Sequence, residues 1–405
     1  MKAACRLAAA LAAATAAFGA AAAEGDPDWA ATRGASADEQ LRARLRAAVR
    51  TIGNTDTQYL VGGYLQLDAI AARRRQDGDE QDTVIVSATP FAPADPERRL
   101  GARQSQINWL SRTPTGAGEL WTRVEVNLFA DDGEASPRVN QLFARLGEGL
   151  LLGKTYSTFM DENALPTTLD YNGPSGVTFV RQWLLRGSVP IAKGWRLDAA
   201  LEESQADLSA SGAAGQVGSH AERPDIAARL RAEGDWGSMQ LSALSRRVTV
   251  SATAAGGASL ERRVQGSGLS FSGSLGVGED DSLLWQVAGG KGVGRYFNDP
   301  LSAAGVEGGG LELLRMTGAT LYYQHKWSER WRTVAGASAL WIDDEGAARP
   351  QDALRRLSYF SANLLWRASP VLVFGGEVIA GEAARVSGDT ASNTRLQFSV
   401  RYLVF

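Results

Sequence analysis

Residues 119–129 alternate between apolar and polar side chains with a period of two. Leu120 and Val124 fall on one side of an extended chain, whereas Arg123 and Glu125 fall on the other. Successive side chains of a β-strand point to opposite faces, so this pattern predicts a strand with one apolar and one charged face. Such a strand is typical of a barrel wall between a polar lumen and lipid, although a soluble β-sandwich alternates in the same way.

Both ends of the chain favour the membrane barrel. Residues 1–23 combine a positively charged start, an apolar stretch and small residues before Glu24, which predicts a secretory signal peptide. The last segment has the character of a strand and ends on the aromatic Phe405, which is typical of the closing strand of an outer-membrane barrel. No later stretch approaches the ~18 apolar residues of a membrane helix, so an exported chain of this kind enters a membrane as a closed barrel.

Strand-like segments, separated by short turns and long connections in alternation, occupy residues 58–405. We count about sixteen, an even number as in bacterial barrels. The predicted fold is therefore all-β: one transmembrane antiparallel barrel whose short turns face the periplasm and whose long loops face outside. The 45 glycines and 11 tryptophans suit such a turn-rich, aromatic-girdled wall better than a helical protein.

Residues 24–57 are predicted to form a periplasmic extension that contains one short helix. Residues 36–39 match a capping box, and an apolar seam at heptad-like spacing follows it. The seam consists of Leu41, Leu45, Ala48 and Ile52. Either this is a solvated helix or it is a coiled-coil stub that joins several chains. So short a helix is marginal alone, which favours the second interpretation.

Arginine carries nearly all the positive charge, since only five of the 42 basic residues are lysine. Acidic residues cluster in predicted loops, so we expect acid outside the pore and cation inside it. A ring of guanidinium groups in a narrow channel favours anions, and carboxylates in particular. Alternatively, several arginines pair with Glu125, Asp198 or Asp225 and stiffen the wall. The candidate pore-lining residues are Arg103, Arg112, Arg123, Arg138, Arg181, Arg186, Arg229, Arg231 and Arg246.

The connection at residues 156–176 has a character of its own. Its prolines and aromatic residues favour an ordered loop that packs on itself. Such a loop either folds inward and narrows the channel or is an ordinary exterior loop. The candidate constriction residues are Tyr156, Phe159, Asp161, Asp170 and Tyr171.

Several short motifs resemble the DcaP-like family of outer-membrane porins. They lie at residues 60–68, 113–120, 153–161, 165–170, 181–182 and 323–328. The resemblance extends over residues 58–405 and is densest between 99 and 186. It implies trimeric sixteen-stranded barrels with an amino-terminal periplasmic helix, which pass small anionic solutes such as dicarboxylates. The family often has a second arginine two residues after Arg138, where this chain has Asn140, so a weaker anion preference is expected.

Enzymatic alternatives find little support in the sequence. A hydrolase on the outer wall needs a histidine beside a serine, and the two histidines are His220, in a Gly/Ser loop, and His325, among aromatic residues near a turn. The single cysteine, Cys5, leaves with the signal peptide. We therefore expect no catalytic residues, no cofactor, no metal site and no nucleic-acid partner.

The predicted function is passive diffusion of small, preferably carboxylate-bearing solutes through the outer membrane of a Gram-negative bacterium. The expected partners are outer-membrane lipid, anionic solutes and two further copies of the chain in a homotrimer. The alternative is a structural or adhesive barrel with a blocked lumen. A barrel enzyme that depends on His325 is the third class.

Deleting residues 24–52 tests the role of the helix in assembly. The barrel walls would carry most of the trimer interface, so we expect an SDS-resistant trimer that is weakened but not abolished. Gel mobility of unheated samples reports this. A full-length protein that runs as a folded monomer in mild detergent at every concentration would contradict the trimer.

Overall fold

The regular structure is almost entirely extended. The computed structural model describes residues 50–77, 82–130, 135–205, 215–220, 223–254, 259–299, 304–307, 310–343 and 349–404. The predicted signal peptide and nearly all of the predicted periplasmic helix lie outside these residues. Ile52, the last residue of the predicted apolar seam, is described, and it begins a turn beside the bridge between Thr51 and Gln58, so the helix does not extend to it. Among the described residues, no helix is long and apolar enough to cross a membrane.

Twenty strands and three short 3-10 helices lie within the described residues. The strands are β1 (Gln58–Ala72), β2 (Glu97–Gly101), β3 (Gln106–Thr115), β4 (Gly118–Asn127), β5 (Arg138–Leu146), β6 (Leu150–Tyr156), β7 (Arg181–Ala192), β8 (Trp195–Glu202), β9 (Gly215–His220), β10 (Asp225–Gly234), β11 (Gly237–Ala254), β12 (Ser259–Val277), β13 (Asp281–Lys291), β14 (Ala304–Glu307), β15 (Gly310–Leu313), β16 (Arg315–Ser328), β17 (Trp331–Asp343), β18 (Leu354–Ser369), β19 (Leu372–Arg385) and β20 (Thr390–Val404). The 3-10 helices are Val86–Ala88, Glu162–Ala164 and Gly294–Tyr296.

The sheet closes because the last strand pairs with the first. Gly63 of β1 lies opposite Val404 of β20, and Ala72 lies opposite Arg395. Neighbouring wall strands pair antiparallel all the way round. Closure leaves no free sheet edge, as a sheet in lipid requires.

The wall contains sixteen strands in the described part of the chain. β3 pairs with the first half of β1 and β2 with the second half, so the two form one interrupted wall strand. β9 and β10 share β11 in the same way. The hairpin of β14 and β15 pairs only with itself. The predicted all-β barrel of about sixteen strands is confirmed.

Short turns lie at one end of the barrel and long connections at the other. The turns after β5 and β7 span residues 147–149 and 193–194. Gly147 (φ 55°) and Gly194 (φ 75°) adopt left-handed conformations there, which glycine reaches without steric cost. The start of β1 and the end of β20 lie at this short-turn end.

The two faces of the wall differ as the alternation predicts. In β4, Trp121, Arg123 and Glu125 point into the lumen and are buried. On the outer face, large apolar side chains remain exposed, such as Leu321 (55%) and Phe398 (67%). Lipid accepts this apolar surface and water does not, so the outer face is the lipid face.

Tryptophans collect where the outer face meets the short turns. Trp331 and Trp366 stack there with ring centroids 5.7 Å apart. Amphipathic rings favour the headgroup level, so this group marks one edge of the membrane. Its exposed members are Trp195, Trp236, Trp327, Trp331 and Trp366.

An arginine on the lipid face should destabilise the barrel according to its depth. Phe398 lies near the middle of β20 and Val404 near its end, on the same exposed face. We expect Phe398→Arg to lower the free energy of unfolding by roughly 2–4 kcal/mol and Val404→Arg by about 1 kcal/mol or less. Urea unfolding in lipid vesicles measures both. Equal costs at the two depths would contradict the assigned membrane position.

Candidate functional site

The connection between β6 and β7 crosses the interior of the barrel. Asp161 accepts a hydrogen bond from Arg231 of β10 (2.7 Å). Glu377 of β19, on a different side of the wall, accepts one from the backbone N–H of Leu169 (2.8 Å). A segment held by both strands lies inside the lumen, and we call residues 157–180 the inward loop.

A glycine lets the inward loop rest directly on the wall. Gly176 has a φ of 81°, and a Cβ atom there would lie 2.7 Å from the carbonyl oxygen of Ala339 and 3.3 Å from the Cα of Gly318. Neither contact can relax, because both are with the backbone of a paired strand. The close seating of the loop on β16 and β17 therefore requires glycine at this position.

Two further connections, residues 82–92 and 292–299, also fold inward. The backbone N–H of Phe179 donates to the carbonyl oxygen of Tyr296 (2.8 Å), which ties the second connection to the inward loop. Val86 and Tyr296 are at most 1% exposed and belong to an apolar cluster that packs the connections against the inner face of β10 to β19. Neither inward fold was predicted from the sequence. The apolar run Val84-Ile85-Val86 within an otherwise acidic segment was the available signal.

Six of the nine candidate arginines form ion pairs. Three of their carboxylate partners, Glu125, Asp198 and Asp225, are those named in the alternative interpretation. These carboxylates are buried on the inner face of the wall, so the prediction that acids lie outside the pore is wrong there. The pairs are Arg103–Asp82, Arg112–Glu119, Arg123–Glu125, Arg229–Asp198, Arg231–Asp161 and Arg246–Asp225.

The remaining three, Arg138, Arg181 and Arg186, form no ion pair within the residues that the structure describes, and we call them the basic cluster. Arg138 and Arg181 donate to the hydroxyl of Tyr171 at 2.7 and 3.3 Å. Arg186 donates from Nε to the hydroxyl of Thr158 at 2.8 Å. All three therefore point at the inward loop.

A cavity lies between the inward loop and the short-turn end of the barrel, beside the basic cluster. Five guanidinium groups and two carboxylates line it. Four of the arginines form ion pairs, with Glu125, Glu148 or Asp198, and Arg186 is the member of the basic cluster that faces the cavity. Arg145 and Arg196, which lie close to short turns, were not predicted from the sequence. The charged residues that line it are Arg123, Arg145, Arg186, Arg196, Arg229, Glu148 and Glu162.

The five candidate constriction residues divide into two groups. Tyr156 and Tyr171 face the arginines, with the Tyr156 hydroxyl 3.0 Å from Arg181. Phe159 packs edge-on against Tyr296 in the apolar cluster. Asp161 and Asp170 are buried and hold the loop in place through hydrogen bonds.

Asn140 occupies a β-bulge in β5. The register with β4 shifts there, because Glu125 lies opposite Gln141 while Val126 lies opposite Val139. Asn140 and Gln141 therefore both point inward and donate to the carboxylate of Glu125, at 3.2 and 2.8 Å. In this chain, residue 140 is therefore a hydrogen-bond donor to the carboxylate of Glu125.

His325 lies on the outer face near a short turn. Its Nδ1 is 2.8 Å from the carboxylate of Asp281, and its ring contacts Trp327 edge-on. The surroundings match a histidine at the membrane interface. The side chain of His220 is outside the described part of the structure.

No protein-family model matches the sequence, and no curated protein matches it. Solved structures do match. The outer-membrane channel DcaP of Acinetobacter baumannii superposes with a TM-score of 0.78 at 17% identity, over 88% of this chain and 100% of that one. The fold is that of an outer-membrane porin.

Two other barrels superpose less well. OmpT, an outer-membrane protein of Vibrio cholerae, gives a TM-score of 0.53 at 10% identity, over 88% of this chain and 100% of that one. The anion-selective porin of Comamonas acidovorans gives 0.52 at 12% identity, over 86% and 100%. The resemblance to DcaP-like porins is thus confirmed for the fold. The closed sheet and its apolar belt place the protein in a Gram-negative outer membrane.

Acidification tests the anchor at Asp170, which accepts hydrogen bonds from the backbone N–H groups of Val84 (2.8 Å) and Gly173 (3.1 Å). Burial raises the pKa of Asp170 from 3.8 to about 6. Between these values the folded protein binds a proton that the unfolded chain does not, so this group favours folding more as the pH falls. The full effect is of the order of 1–3 kcal/mol.

We therefore expect wild type to gain unfolding free energy relative to Asp170→Asn between about pH 7.5 and 4.5. Urea unfolding of both proteins at each pH measures the difference. A difference that stays constant over this range, or shrinks as the pH falls, would show that the pKa of the Asp170 carboxyl is not raised in the folded protein.

Proposed function

We propose that the protein is a passive porin that favours small anionic, carboxylate-bearing solutes. The observation that carries this proposal is the basic cluster, whose three arginines face the inward loop and form no ion pair within the described residues. Arg186 also lines the cavity that continues toward the short-turn end, where the other four arginines are ion-paired. Solutes would pass between the inward loop and the wall formed by β4 to β8.

Arginines in ion pairs contribute little to selectivity, since each is close to an opposite charge. In the Arg231–Asp161 pair the charged atoms are 2.7 Å apart and both side chains are buried. Such pairs hold the inward loop and stiffen the wall. Unpaired guanidinium groups in a narrow, low-dielectric passage attract anions and present a planar fork that fits a carboxylate. Solute selection would thus depend on the basic cluster, which is a small part of the arginine charge inside the barrel.

We also propose that the protein is not an enzyme and that it assembles as a homotrimer. One solved structure of OmpT, similar in fold to this chain, is described as a trimer form. In the proposed trimer, residues 1–23 are removed and residues 24–57 lie in the periplasm, ahead of the barrel at 58–405. The exposed apolar wall would contact both lipid and neighbouring copies.

One observation favours the alternative of a blocked lumen. The inward loop and the connections at 82–92 and 292–299 share an apolar cluster that packs them against the inner face of β10 to β19 and takes up part of the lumen. A barrel whose lumen is closed completely by such connections inserts into a bilayer without conducting. Planar-bilayer recording separates the two functions: a porin gives stepwise current increases, and insertion without current would support the structural role.

Removing the basic cluster should weaken anion uptake. We expect the triple variant Arg138→Ala, Arg181→Ala, Arg186→Ala to lower succinate entry into liposomes at least tenfold relative to a neutral sugar, since the loss of even one contact to a charged oxygen costs about 1.5 kcal/mol. Liposome swelling measures both rates.

The matched control removes a paired arginine together with its partner. Arg112→Gln with Glu119→Gln leaves the net charge unchanged and should leave the succinate-to-sugar ratio near that of wild type. If the control lowers the ratio as much as the triple variant does, the basic cluster has no special role.

A further inference from the structure

Three hydrogen-bond donors converge on one phenol oxygen at the inward loop. The hydroxyl oxygen of Tyr171 accepts from Asn127 of β4 at 2.8 Å, from Arg138 of β5 at 2.7 Å and from Arg181 of β7 at 3.3 Å. The donors come from three wall strands and the acceptor from the loop that faces them. They form a pocket of donors around a single oxygen atom.

A neutral phenol is a poor match for this pocket. Its oxygen has two lone pairs and carries its own proton, whereas three donors, two of them cationic, surround it. A carboxylate or phosphate oxygen bears negative charge and accepts charge-assisted hydrogen bonds that are roughly twice as strong. The donor set therefore fits an oxyanion better than it fits the tyrosine.

Two more donors at the same place lack acceptors. The Nε atoms of Arg138 and Arg181 are buried and have no hydrogen-bond partner in the described part of the chain. A buried donor without an acceptor costs free energy, and an anion with two or more oxygens would relieve that cost. The Nε atoms of other inner-wall arginines, such as Arg246, are in the same state, so the convergence on Tyr171 is what distinguishes this place.

The Tyr171 side chain can leave without disturbing the anchors of the loop. Its ring stacks on Phe129 at 4.1 Å and is partly exposed. The backbone of the loop is held separately, through the N–H groups of Leu169 and Asp170 on Glu377. Rotation of one side chain thus opens the pocket while the loop stays in place.

We propose that Asn127, Arg138 and Arg181 form an oxyanion site and that the Tyr171 hydroxyl is its internal ligand, which a permeating carboxylate or phosphate displaces. This inference rests on the proposed function, because passage of solutes through the pore would bring the anion to the site. Competition by the hydroxyl lowers the net affinity of the site. A solute then binds strongly enough to enter and weakly enough to leave, as conduction requires.

Replacing Tyr171 by Phe removes the competing oxygen and keeps the ring. The probes are succinate and inorganic phosphate, added to a potassium chloride background in single-channel recordings. We expect the concentration of at least one of them that halves the chloride current to fall roughly tenfold in Tyr171→Phe. The gain should disappear when Arg138→Ala and Arg181→Ala are added. The probe with the larger gain identifies the oxyanion class.

The matched control is Tyr322→Phe, the same change at a tyrosine of β16. Tyr322 is fully buried and its hydroxyl contacts Ser361 of β18. We expect succinate and phosphate to halve the chloride current of this variant at the same concentrations as in wild type. Unchanged or weaker blocking by both probes in Tyr171→Phe would overturn the proposal, as would an equal gain in the control.

Calorimetric titration of the detergent-solubilised protein measures the same site without conduction. Tighter succinate or phosphate binding by Tyr171→Phe in a protein that conducts no current would support the site and reject the porin function. Conduction with anion preference, but equal binding by wild type and variant, would retain the function and reject the site.

Discussion

Lipid offers no hydrogen-bond partner to a backbone amide, and the pairing of β20 with β1 meets this constraint by closing the sheet. The closed wall assigns alternate residues to lipid and lumen. Apolar side chains such as Leu321 and Phe398 point outward, and polar or charged ones point inward. A wall of this kind brings many ionisable groups into one enclosed space, where each must find a partner or remain available to solutes.

Two kinds of interior result from that enclosure. On the side of β10 to β19, the inward loop and the connections at 82–92 and 292–299 pack against the wall in an apolar cluster. Along β4 to β8, guanidinium groups and tyrosines face the loop instead. The buried ion pairs, such as Arg231–Asp161, fix the position of the loop. The basic cluster, which has no such partner among the described residues, is then free to act on whatever passes.

Much of the fold could be predicted from the sequence, because it depends on a period of two that each strand displays locally. Which arginine pairs with which carboxylate could not be predicted, since this depends on the register between strands. Asp198 and Arg229 are distant in sequence and meet only because β8 and β10 align them. The bulge at Asn140 is a second example. It reverses the parity within β5, so a strict alternation counted from Arg138 would place Arg145 on the lipid face.

The net charge of the passage between loop and wall determines whether the basic cluster selects solutes. A reversal-potential measurement on the wild-type protein in a potassium chloride gradient across a planar bilayer reports that charge most directly. The basic cluster, which forms no ion pair among the described residues, predicts a potential of the sign that chloride permeation produces. A potential of zero, or of the sign that potassium permeation produces, would contradict an anion-selective pore.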